Sequence, residues 1–254
     1  MGRDGGGFVE LISSLYWTQI LASAPRPAHN KAMGRIILTI AGSWHKAPSI
    51  ATPFSLELGP ADPQFVDDFR ALVDASESMD PAELRAIEGH SSVLTADLAF
   101  ESRGAHKSAR EGARLIQALF ADGGQAAIVQ TGFKAHSPGT FRGLALTDPS
   151  VLFHLFVEVL GDDDGIMSEG MTAFDLPDVY VPYQSEREFA AAQAAAFGLA
   201  ARMVCDRYRP SAGGVYRNSE SAPLFAFAHR PPPAGTEADP FTNPRGTWVL
   251  EYRG

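Results

Sequence analysis

Cysteine is almost missing from this chain, with Cys205 alone in 254 residues. One cysteine excludes an internal disulfide framework and fits a reducing, cytoplasmic setting. Its neighbours, AARMVCDRY, form an apolar helical run, so the thiol reads as buried and inert. Basic residues are also short, 21 Lys and Arg against 30 Asp and Glu, giving a net charge of -9. That excess repels a phosphate backbone, and no arginine-lysine stripe interleaved with aromatics offsets it, so nucleic acid is not an expected partner. Long hydrophobic runs are lacking too. The most apolar N-terminal stretch, FVELISSLYWTQILASA, is interrupted by Glu10 and by Trp17, Thr18 and Gln19, and Asp4 offsets the only preceding cation, Arg3. It is short of a bilayer span and lacks the order of an export signal, so neither membrane nor secretion is expected. Phe8, Leu11, Ile12, Leu15 and Ile20 instead recur at near-helical spacing, which predicts an amphipathic extension over residues 1–33.

Cofactor signatures are equally scarce. The glycine clusters at 5–7, 123–124 and 213–214 have neither a Gly-Lys-Ser/Thr ending nor spaced dinucleotide-binding glycines, so no cofactor is expected. The acidic GDDDG at 161–165 lacks the alternating ligands and distal glutamate of an EF-hand and reads as a hairpin turn.

What the chain does contain is 45% hydrophobic residues, enough for a sizeable core. GRIILTIAG is a β-branched strand pattern, and Asp62-Pro63 and Asp80-Pro81 each place a cap before a first-turn proline, predicting two helices. SSVLTADLAF alternates as a strand with Leu94, Ala96, Leu98 and Phe100 on its apolar face. HKSAREGARLIQALF is helical, and QAAIVQ is a short buried strand. These three elements form a β-α-β unit, whose strands are expected side by side and parallel, with Leu98, Phe100, Ile128 and Val129 buried. FHLFVEV and GIMSEGM read as the arms of a hairpin turning within residues 162–165. SEREFAAAQAAAFGLAARMVC is the longest helix pattern, with Ser185 and Glu188 as a capping box, and two strands close the chain. The order predicts an α+β fold, a mixed sheet covered by helices in an extended ferredoxin-like sandwich, as one domain over 34–254.

The succession TADLAF, helix, GGQAAIVQTGFKAHSP, FHLFVEVLGDDDG and EGMTAFDLPDVYV resembles an uncharacterised bacterial family of unknown function over roughly residues 90–205. FTNPRGTW is a weaker echo of it, and residues 1–33 lie outside. The resemblance implies a bacterial origin and this fold, and brings no catalytic residues.

The chemistry-bearing stretch is QTGFKAHSPG, residues 130–139, which gathers Lys134, His136 and Ser137. Ser137 before Pro138 has the order of a helix cap, and no GxSxG elbow surrounds it. Lys134 and His136, with His90, are the candidates for a noncanonical hydrolase or transferase site. His154 and Glu158, four apart in a predicted strand, share a face and are the candidate metal ligands, although two ligands fall short of a site. Trp44 and His45 end the first strand, where an aromatic usually marks the edge of a core. The composition favours a second class, a non-enzymatic protein-binding module, regulatory or toxin-neutralising, whose acidic surface meets a more basic protein.

Overall fold

The computed structural model describes residues 34–73, 80–236, 239 and 241–253. The expected N-terminal helix therefore lies outside the described residues.

Strand β1 (Gly34–Gly42) is buried almost throughout because both of its faces are covered. Ile36, Leu38 and Ile40 enter one core, while Ala41 enters another with Phe65, Phe69 and Ile87. A strand that is apolar on both faces belongs at the centre of a sheet. The order is accordingly β2 (Ser55–Pro60), β3 (Ser92–Phe100), β1, β4 (Gly124–Val129), β5 (Lys134–His136), with every pair antiparallel. This corrects one expectation. The strands β3 and β4 run in the same direction but are not neighbours, because β1 lies between them. The reason is the apolar content of β1, which a parallel β3–β4 pair would have left at an edge. Phe100, Ile128 and Val129 are buried as expected, whereas Leu98 is half-buried.

Helices α1 (Pro63–Leu72) and α2 (Pro81–Glu88) open with the two expected Asp-Pro caps. The Asp62 carboxylate accepts from Gln64 N at 3.0 Å and that of Asp80 from Ala82 N at 2.8 Å. They cover one face of the sheet, and α3 (Ala105–Ala121) covers the other through Ala109, Ala113, Ile116 and Leu119.

A third Asp-Pro cap corrects the hairpin's first arm. The Asp148 carboxylate accepts from Ser150 N at 2.8 Å, Pro149 occupies the first turn, and residues Pro149–Phe156 form α4 rather than a strand. Leu152, Phe153, Leu155 and Phe156 are all buried, so the run carries no face-to-face alternation that separates helix from strand. The hairpin proper is shorter, β6 (Glu158–Gly161) and β7 (Gly165–Glu169), and it turns where expected. Asp162 shapes that turn, its carboxylate accepting from Asp164 N at 2.9 Å and Gly165 N at 2.8 Å.

A second sheet follows, ordered β6, β7, β8 (Asp178–Pro182), β11 (Thr247–Tyr252), β10 (Phe225–Arg230), β9 (Val215–Tyr216). Only its β8–β11 pair is parallel. Helix α5 (Glu186–Cys205) packs on β7 and β8 through an alanine-rich face ending in Leu199, Met203 and Val204. The expected capping box is not made: the Glu188 carboxylate accepts from Gln184 N, one residue before the cap, at 2.8 Å, and the Ser185 hydroxyl makes no cap bond.

The fold is thus α+β, with two sheets and covering helices. One continuous core joins Leu38 and Leu94 of the first sheet to Phe153 and Phe156 of α4 and to Val179 and Val181 of the second. The sheets meet at a backbone crossing. A Cβ on Gly132 would lie 2.1 Å from the Phe156 carbonyl oxygen, and one on Gly170 would lie 2.0 Å from the same atom. Gly170 also has φ of 97°, so glycine is required there twice over. Among the described residues, no helix is long and apolar enough to cross a membrane.

Candidate functional site

Strand β4 ends in a tight turn at residues 130–132, and the chain returns antiparallel as β5. Alternation along β5 places Lys134 and His136 on one face of this edge strand. That face, with α4 beside it, borders an open pocket of about 270 Å³. Leu72, Leu144, Val151 and Leu155 make its apolar walls, and Lys134, His136, Thr140 and His154 supply its polar atoms. Two catalytic candidates and one metal candidate therefore line the same cavity.

His136 is 2% exposed. Its Nε2 lies 2.9 Å from the Leu155 carbonyl oxygen, which can only accept, so Nε2 carries the ring proton. Nδ1 is buried and has no hydrogen-bond partner. Burial, aided by the Lys134 charge, pushes the imidazole down to about 4, only partly opposed by the Leu155 bond. His136 is thus neutral at physiological pH. The Lys134 ammonium is engaged as well, 2.5 Å from a carboxylate oxygen of Glu158.

The remaining candidates fall elsewhere. His90 does not join the cavity. Its Nε2 accepts from Asp62 N at 3.2 Å and its Nδ1 donates to the Ile87 carbonyl at 2.8 Å, tying the start of α1 to the end of α2. His154 and Glu158 do not share a strand face, because His154 sits exposed in the last turn of α4 and Glu158 begins β6. Among the described residues, no three His, Cys, Asp or Glu side chains converge as metal ligands. Ser137 caps no helix, since turns follow it. Its carbonyl accepts from Thr140 N at 3.1 Å, and its hydroxyl lies 3.5 Å from that of Thr140. The Trp44 indole donates to the Asp122 carbonyl at 2.8 Å, and His45 is exposed. Cys205 is half-buried, its thiol pushed up chiefly by desolvation and then by Asp206 and Asp148.

Sequence reasoning missed a second polar cluster, at the join of β8 and β11. Asp178 accepts from Met171 N at 3.2 Å and from Asn243 Nδ2 at 2.6 Å. Asn243 also donates to the Leu176 carbonyl at 2.9 Å and accepts from Arg245 N at 2.9 Å. Arg245 grips Asp175 with two bonds, at 2.8 and 2.6 Å. Burial raises the Asp178 carboxyl well above its ordinary range, and nearby Glu169 raises it further. Desolvation pushes Glu169, half-buried on β7, up to about 7. Glu169 stands directly across the hairpin from Glu158, so a chain of polar groups runs from the cavity wall towards this cluster. The visible signal was two aspartates within the apolar run MTAFDLPDVYV, and an Asn-Pro-Arg-Gly near the end.

A third feature lies on the surface. β6 is the terminal strand of its sheet among the described residues. It presents Leu160, 40% exposed, and the 37%-exposed Phe189 of α5 leans over Gly161. Tyr183 meets Phe189 edge-on at 5.4 Å. Because Leu160 and Gly161 are successive strand residues, Leu160 points to the face opposite Phe189. Around this edge stand the exposed Asp162, Asp163, Asp164, Glu186 and Glu188, with Arg187 and Arg230, the latter 5.9 Å from the Tyr180 ring, as the adjacent cations.

Comparison with known proteins finds no match to a family model, to a curated protein or to a solved structure.

Proposed function

We propose that this protein acts by binding another protein, and that it receives a basic, extended segment of its partner along β6. The observation that carries this reading is the terminal β6 edge, with an exposed apolar side chain on each face, Leu160 on one and Phe189 on the other, and acidic residues around it. Strand addition supplies main-chain hydrogen bonds, and exposed side chains such as Leu160 and Phe189 supply the apolar contacts that select the sequence. Five carboxylates against the guanidinium groups of Arg187 and Arg230 favour Lys- and Arg-containing segments and speed their approach. The net charge of -9 acts in the same direction over longer range. A second copy of this chain is a poor occupant, because pairing β6 with itself brings two acidic rims together. Regulation, or neutralisation of a basic toxin, are the roles that such a surface suits.

Catalysis at Lys134 and His136 has less support. Lys134 is held by Glu158, and the free nitrogen of His136 touches no hydroxyl or thiol that it would activate. The resemblance to the uncharacterised bacterial family remains a proposal and assigns no role to any residue.

Fluorescence anisotropy with two labelled peptides tests the binding reading, one alternating Lys with Val and the other Glu with Val. The full chain should bind only the basic peptide, more weakly as salt rises, and Leu160→Asp should abolish binding without lowering the melting temperature. Equal binding of the two peptides, or no binding, would sink the idea. Sedimentation showing a dimer that Leu160→Asp dissociates would give the edge to a second copy instead.

A further inference from the structure

Against a net charge of -9, one group of basic side chains gathers without a carboxylate among them. We propose that His106 and Arg110 of α3, with Arg207 and Arg209 just beyond the end of α5, bind a dianionic phosphate group, free or on a small ester. The group stands apart from the β6 edge. Helix α5 has 20 residues, so its two ends, one beside β6 and one beside Arg207, lie about 30 Å apart.

Local structure brings the four side chains together. His106 and Arg110 are four apart on α3 and share a face. Burial lowers the His106 pKa, and the charges of Arg207, Arg209 and Arg110 lower it further, which sets all three guanidinium groups around the imidazole. The acids next in sequence are engaged elsewhere, Asp206 at 3.8 Å from Arg202 and Glu111 at 3.0 Å from Arg114. Among the described residues, Arg110 and Arg207 make no hydrogen bond or ion pair, and the His106 ring nitrogens make no hydrogen bond. Only Nε of Arg110 is enclosed, so its terminal nitrogens remain within reach of a ligand, as do the half-buried His106 and the exposed Arg207 and Arg209. Arg209 is steadied through Nη1, which donates to the carbonyls of Met203 at 3.2 Å and Tyr208 at 3.0 Å, leaving Nε and Nη2 free to donate.

The backbone adds two arguments. Arg207 has φ of 57°, a left-handed conformation that favours glycine, and an arginine kept there points to a use for its side chain. Helix α3 starts beside His106 with no acidic residue in its first turn and no side-chain cap, so its dipole adds positive potential. Guanidinium forks match pairs of phosphate oxygens, and several of them suit a double charge. A long polyanion is a poor occupant, because its other charges would meet an acidic protein.

Methyl phosphate and dimethyl phosphate share a tetrahedral phosphorus, but at about pH 8 the first is a dianion and the second a monoanion. Titrated into the full chain by calorimetry at low salt, methyl phosphate should bind at least about tenfold more tightly. Arg207→Gly removes the guanidinium and suits the local φ. It should weaken methyl phosphate at least about tenfold while melting no lower than the wild type. Arg207→Asn, which also tolerates this φ, repeats the test should the glycine variant not fold. Arg142→Gln is the control for charge alone. Its neighbour Phe141 packs on Phe120 near the other end of α3, about 20 Å from His106, so binding should be unchanged. Inorganic phosphate separates the two sources within the proposal, equal affinity pointing to the free ion and weaker affinity to an ester. Equal binding of the two methyl esters, undiminished binding in the Arg207 variants, or equal weakening in Arg142→Gln would each overturn the proposal. So would failure of methyl phosphate and inorganic phosphate to bind.

Discussion

His136 on β5 and Asp178 at the start of β8 are both withdrawn from solvent, and burial drives them in opposite directions to the same end. The imidazole gives up its proton down to about 4, and the carboxyl keeps its proton well above the usual range. Each is pushed towards its neutral form. They differ in how their polar atoms are satisfied. Both oxygens of Asp178 receive N–H donors, from Met171 and Asn243, and Asn243 in turn is held by Leu176 and Arg245. One nitrogen of His136 has no donor facing it. A buried network whose members are all paired fixes the local structure, whereas a buried atom left unpaired costs stability. The first region is closed by its own partners, and the second is not.

The largest way to break this contrast is to open the closed network. Arg245→Ala strips the guanidinium from Asp175, whose side chain is 2% exposed, and removal of one partner from a buried pair costs about 3–5 kcal/mol. Thermal denaturation should show that loss, and a cost below about 1 kcal/mol would mean the network is not what locks β8 to β11.

The two regions also give opposite pH slopes. Between pH 6.5 and about 4, the unfolded chain takes up a proton at His136 that the folded chain refuses. Stability therefore falls as pH falls through that window, by up to about 3 kcal/mol. Glu169 works the other way. Between pH 4.5 and about 7 the folded chain keeps a proton that the unfolded chain has released, so stability falls as pH rises. The slopes oppose each other where the windows overlap, but Asp178, whose carboxyl burial also raises, adds to the Glu169 side, so the wild-type profile should tilt towards lower stability as pH rises. Urea denaturation across this range should show His136→Gln steepening that fall and Glu169→Gln reducing it. Matching profiles in both variants would remove the contrast.

The smallest effect sharpens the link between the regions. Lys134→Met should cost about 0–1 kcal/mol, the usual worth of a partly exposed ion pair. It also leaves the Glu158 carboxylate uncompensated opposite Glu169, so the Glu169 carboxyl should titrate higher still. Carbon-13 NMR of the carboxyl groups measures that shift.

Local chemistry was legible where neighbours in sequence decide it. The Asp62-Pro63 and Asp80-Pro81 helix starts and the turn at 162–165 follow from residues within a few positions of one another. Asp148-Pro149 carries the same start signal, but the apolar run after it hides which period applies. With α4 misread as a strand, His154 could not be brought to the cavity beside His136. Non-local pairing was illegible for a different reason. That β1 separates β3 from β4, and that Asp178 meets Asn243, depend on which buried surfaces find one another across the chain. No spacing in the sequence records those distances.

The position of β11 has a consequence for how the chain comes off the ribosome. Every strand of the first sheet lies between residues 34 and 136, so that sheet can pair fully while the second is still being made. The second sheet cannot. Its strand β8 ends at Pro182, yet its outer neighbour spans Thr247–Tyr252. Until residues 247–252 emerge, a nascent chain leaves β8, with its apolar Val179 and Val181, on an unpaired edge, a state open to misassociation. Late closure of a parallel pair is also slow, because the long segment between the two strands, with α5, β9 and β10 in it, must be brought into place before the contact rewards it. Arrest of synthesis before residue 247 would therefore leave a finished first sheet beside a second one split in two.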